Sequence, residues 1–121
     1  MFDIIRNCLF DGNTALKGAA VYNHGLVESC TFSWNYAAQD GGAVYNLRSG
    51  VVQNCIFDGN FAQRDGSAVY NMGVVKGSTF SGNVAGADGT IYNWGNVQEC
   101  LLYSNTATNG GGIYNYRGNV Q

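Results

Sequence analysis

The sequence predicts an all-β chain wound into a right-handed parallel β-helix, a solenoid of about five coils of 22–25 residues. Three observations carry this. A hexapeptide returns five times with small changes: GAAVYN (18–23), GGAVYN (41–46), GSAVYN (66–71), DGTIYN (88–93) and GGGIYN (110–115). Aligned on Cys8, Cys30, Cys55, Ser78 and Cys100, the chain advances in steps of 22, 25, 23 and 22 residues. No segment keeps an apolar i, i+3, i+4 pattern over ten residues, and Gly interrupts each run, which argues against helix.

Within the unit, each column has a reason. Three residues before the anchor stands an aliphatic side chain: Ile5, Val27, Val52, Val75 or Val97, and Val120 begins a sixth turn. The anchor reads Cys, Cys, Cys, Ser, Cys, as a small buried side chain requires. Two residues on come Phe10, Phe32, Phe57, Phe80 and Leu102, expected to stack inside. Asn13, Asn35, Asn60, Asn83 and Asn105 follow; amides stacked at strand spacing bond one another in a ladder. Ala15, Ala37, Ala62, Ala85 and Ala107 mark a narrow interior. The hexapeptide then reads as a Gly corner, a strand and an Asn corner. A unit of this length holds about three short strands and three corners.

Alternation orients the last strand. With Val21, Val44, Val69, Ile91 and Ile113 inward, Tyr22, Tyr45, Tyr70, Tyr92 and Tyr114 face solvent, followed on that face by His24, Leu47, Met72, Trp94 and Tyr116. This strip, with Trp94 at its centre, is the candidate ligand-binding surface, since such aromatic faces hold sugars or partner proteins. The opposite register buries the tyrosines, and cross-strand stacking by itself also accounts for the column.

Composition narrows the function. The formal charge is −2, 12% of residues are charged and 45% are apolar, so a folded chain is expected. Nothing basic enough for nucleic acid or a membrane surface is present, and no window is apolar enough to span a bilayer. The start, MFDIIRNCLF, does not read as a signal peptide. Residues 1–121 read as one repeat block, a fragment of a longer array. Met1 enters without a polar cap and Val120–Gln121 begin a coil, so unpaired strand edges and end-to-end self-association are expected.

Other chemistry is weak. The cysteines lack C-x-x-C spacing and a recurring His, so no metal site or cofactor is expected. Cys55 and Cys100 lie two coils apart, too far for a disulfide. Asp40, Asp65 and Asp88 precede Gly in three successive coils and Asn109 takes that place in the next. Stacked carboxylates can bind Ca²⁺ or act as an acid–base pair, but Asp-Gly is also routine turn chemistry. No basic residue recurs beside the column, and no catalytic residue is assigned.

The alternating FSWN, FDGN, FSGN and GGAVYN motifs resemble the FxxN and GGA[ILV] repeats of chlamydial-type polymorphic outer membrane proteins, and are similar to adhesin-like β-helix proteins of other microbes. The resemblance covers almost the whole chain. It implies an extracellular or cell-surface passenger, a non-catalytic structural and binding β-helix whose partner is a glycan or a host protein surface. The alternatives are part of a carbohydrate-active β-helix enzyme, a polysaccharide lyase or hydrolase, and a purely structural spacer.

Overall fold

The computed structural model describes residues 3–121; Met1, expected to lack a polar cap, lies outside the described residues. All regular structure in them is strand, and each strand pairs in parallel with its counterpart one coil away. The result is a β-solenoid of about five turns. The third coil shows the unit: Val51–Gln53, Ile56–Asp58, Phe61–Ala62 and Val69–Asn71. Stacked over the coils, these make a six-stranded Val sheet, a five-stranded Phe sheet, a four-stranded Ala sheet and a five-stranded Tyr sheet. Four strands per coil, rather than about three, corrects the sequence reading. The additional strand is the two-residue segment at the Ala column, too short for alternation to reveal.

Register follows the columns. Val69 pairs with Val44 and Ile91, Phe57 with Phe32 and Phe80, and Ala62 with Ala37 and Ala85. Differences in coil length fall in loops between the Ala and Tyr sheets, at Leu47–Gly50 and at Tyr116–Gly118, where they leave the pairing intact.

Three corners per coil take positive φ. The first is Asn7, Ser29, Asn54, Gly77 and Glu99; the second Gly12, Trp34, Gly59, Gly82 and Ser104; the third Gly18, Gly41, Gly66, Gly89 and Gly110. The third is Gly throughout for a steric reason added to the dihedral one. A Cβ on Gly41 would lie 2.5 Å from the Val44 carbonyl oxygen, and one on Gly66 would lie 2.4 Å from that of Val69. This is why four of the hexapeptides open on Gly and DGTIYN carries Gly89 at its second position.

The interior is a set of columns. Phe10, Phe32, Phe57 and Phe80 stack with centroids 4.6–5.0 Å apart and planes within 7°. Phe32, Phe57 and Phe80 are fully buried, and so are Val27, Val52 and Val75 on the Val sheet and Ala37 and Ala62 on the Ala sheet. Asn columns close two corners. In the first, both the backbone N–H and Nδ2 of Asn35 donate to Oδ1 of Asn60, at 3.1 and 2.9 Å, while Nδ2 also donates to the Phe10 carbonyl. The same pattern links Asn13 to Asn35, Asn60 to Asn83 and Asn83 to Asn105. The second ladder runs from Asn23 through Asn46, Asn71 and Asn93 to Asn115, with Nδ2–Oδ1 distances of 2.8–2.9 Å. All amides point the same way along the axis, so each bond polarises the next.

The anchor column is set by hydrogen bonding as well as size. Each Sγ of Cys8, Cys30, Cys55 and Cys100 donates to the carbonyl two residues back at 3.2–3.3 Å, and Ser78 Oγ does so at 3.0 Å. A thiol and a hydroxyl are therefore interchangeable there. All four cysteines are free thiols; Cys30 and Cys55 are buried and Cys8 is exposed.

Candidate binding surface

The strand Val69–Asn71 and its copies place the tyrosines. Val21, Val44, Val69 and Ile91 are buried, as are Asn23, Asn46, Asn71 and Asn93, so the residue between them must face out. Tyr22 is 55% exposed, and Tyr45, Tyr70, Tyr92 and Tyr114 are half-buried on the same face. The outward register is thus the real one.

The rings form a continuous stack from Tyr22 to Tyr114, with centroids 4.9–5.2 Å apart and planes within 13°. Each inner ring is covered on both faces by its neighbours. What the column presents to solvent is a row of ring edges and hydroxyls, not ring faces. Free aromatic surface lies beside it: Trp94 is 39% and Tyr116 49% exposed, with centroids 4.5 Å apart and tilted by 43°. The Trp94 indole N–H donates to the Tyr70 hydroxyl at 3.0 Å, fixing the indole against the column. Lys17 Nζ lies 5.4 Å from the Tyr45 ring centroid and Arg117 5.6 Å from that of Tyr116.

The acidic column borders the strip. The backbone N–H of Asp65 donates to Asp40 Oδ1 at 3.3 Å, that of Asp88 to Asp65 Oδ1 at 3.2 Å, and Asn109 Nδ2 to Asp88 Oδ1 at 2.8 Å. Arg64 Nε stands 3.8 Å from Asp40. These carboxylates hold the corner, which is turn chemistry, and lend the carbohydrate-active-enzyme reading no support. Burial, then the neighbouring Asp40, pushes the Asp65 carboxyl up. Burial also raises the Tyr45 and Tyr70 phenols and takes Tyr92 up to about 12, with Asp65 the next cause at Tyr92. Tyr45, Tyr70 and Tyr92 are therefore neutral phenols at physiological pH.

The repeat of the Chlamydia polymorphic membrane protein family matches residues 7–24 and 54–72. Each match runs from the first corner, through the Phe and Asn columns, to the end of the Tyr strand. The chain is a parallel β-solenoid that carries repeats of the polymorphic-membrane-protein type. No curated protein and no solved structure matches it. In this polymorphic-membrane-protein-type solenoid the repeat explains the inner columns, and the family implies an outer-membrane or surface location. Trp94, Tyr116 and Lys17 each recur at their position in no other coil, so the repeat itself does not account for them.

Sequence reasoning placed the five tyrosines and Trp94 on one face and offered cross-strand stacking as one account of the column, but not that the stack covers the ring faces. It also passed over Trp34, whose only signal was a bulky residue in FSWN where two other coils read FDGN.

Proposed function

We propose that this chain is a non-catalytic binding segment of a surface-exposed, adhesin-like passenger, and that the strip formed by Tyr22, Tyr45, Tyr70, Tyr92, Tyr114 and Trp94 is its contact surface. The observation that supports this most is the outward Tyr column, kept in five coils although the core does not require an aromatic there. The partner is a glycan or a protein surface on the host. Phenol hydroxyls along the strip offer hydrogen bonds at a regular pitch, and Trp94 with Tyr116 offers the stacking surface.

The test is binding of the fluorescently labelled chain to a glycan array and to cultured epithelial cells. Trp94→Ala with Tyr92→Ser should cut binding by about tenfold or more, the scale of losing an interface anchor. The melting temperature will fall as well, because several aromatic pairs of about 0.5–1.5 kcal/mol each are removed, so binding is compared at a temperature where both proteins are folded. Undiminished binding would reassign the column to cross-strand stacking alone, as in a structural spacer.

A further inference from the structure

The second corner holds a side chain that the fold does not ask for. Trp34 sits there at φ 55, where other coils carry Gly12, Gly59, Gly82 and Ser104. A bulky residue is strained in that region. Core burial does not offset the strain, because Trp34 is 68% exposed. Its indole is nevertheless seated: a Cβ on Gly59 would come within 2.9 Å of the benzo ring, so the ring rests on bare backbone of the next coil. The Trp34 backbone N–H donates to the Asp58 carbonyl, which fixes the corner at the level of Asp58.

The surroundings are polar on one side and aromatic on the other. Ser33, one residue before Trp34, pairs in register with Asp58 on the outer side of the Phe sheet, where Phe32 and Phe57 take the inner side. Tyr36 and Phe61 stack outward on the Ala sheet with centroids 5.3 Å apart and planes 2° from parallel. Thr14, Val84 and Thr106 fill that column elsewhere, so the aromatic group is confined to the second and third coils.

We propose that Trp34 is a carbohydrate-binding platform, on which one pyranose unit lays its C–H face while Ser33 and Asp58 hydrogen-bond the hydroxyls at its rim. Size favours this occupant. One aromatic side chain offers about 150–250 Å², whereas a stable protein partner needs about 800 Å² per side. Chemistry favours it too: an apolar plane with a hydroxyl and a carboxylate on the residues that flank its corner, Ser33 and Asp58, matches a ligand with a flat C–H face and hydroxyl donors. The site lies on a different corner from the Tyr strip and stands without it.

Trp34→Gly is the decisive variant, since other coils use Gly at this corner and the fold accepts it. In a Trp94→Phe background Trp34 is the sole tryptophan, excited selectively at the red edge where the tyrosines do not absorb. The probes are methyl glycosides of glucose, galactose and mannose, N-acetylglucosamine trimer, and sialyllactose. With at least one of them Trp34 emission should change saturably. Calorimetry on the full chain should then show affinity reduced about tenfold or more by Trp34→Gly and lowered by Asp58→Ala, with the Trp34→Gly melting temperature unchanged or raised. The proposal fails if no probe gives a saturable change, or if Trp34→Gly binds as the parent does. It also fails if Trp34→Gly melts several degrees lower without loss of binding, which would make the indole a cover for Gly59.

Discussion

The Phe column inside the solenoid and the Tyr column outside it have almost the same geometry. Centroids are 4.6–5.0 Å apart in one and 4.9–5.2 Å in the other, and both sets of rings are near parallel. Coil spacing alone sets both stacks. The difference is the second surroundings: Phe57 is fully buried among valines and Ala side chains, whereas the Tyr edges meet water and a row of carboxylates. Equal stacking thus carries unequal stability, because removal from water rather than ring contact supplies most of the gain.

The largest expected effect breaks that comparison directly. Phe57→Ala should cost about 3–5 kcal/mol, leaving a cavity between Phe32 and Phe80 that neighbouring coils cannot fill. Tyr45→Ala should cost far less, on the order of one or two aromatic contacts. Chemical denaturation of both variants checks the pair, and equal losses would overturn the distinction.

Next in size is the Asn column that closes the corner beside the Phe stack. Asn60→Ala removes the acceptor for two donors of Asn35 and the Nδ2 donor to Phe32 and Asn83, while the backbone N–H of residue 60 still reaches Asn83. Each buried group left unpaired costs about 1–3 kcal/mol, so Asn60→Ala should approach Phe57→Ala in denaturation midpoint. Amide exchange should speed up most at Asn35. A loss as small as that of Tyr45→Ala would mean that water satisfies the corner.

The smallest effect is a pH dependence in which inside and outside act alike. Burial pushes Cys55 from about 9 to about 12 and Tyr92 from about 10 to about 12, and raises Cys30, Cys100, Tyr45 and Tyr70. A raised folded pKa means the folded state holds its proton more tightly than the unfolded chain. Stability from these groups is therefore complete below about pH 9 and is lost as pH rises from there toward about 12. Melting temperature measured across that window should fall steadily. At pH 8 a thiol reagent should modify Cys8 first and reach Cys30 and Cys55 only on unfolding, since those two are buried; simultaneous labelling of all four would contradict the buried column.

The recurrence of Val, Phe, Asn, Ala and Tyr at fixed offsets determined the parallel register and both Asn ladders, and it left two registers open for the Tyr strand, between which the burial of Val69 and Asn71 decides. Each follows from a period of two within strands and from one coil repeating above another. The tertiary structure alone decided the rest. The two-residue Ala strand exists because neighbouring coils pair with it, not because its own residues alternate. Left-handed corners at Asn54 and Glu99 are chosen by the closure of the coil against the local preference of a non-Gly residue. Whether a Tyr face is open or covered depends on the ring one coil away, and so does the seating of Trp34 on Gly59. These features arise from contacts more than twenty residues apart, which a local pattern does not contain.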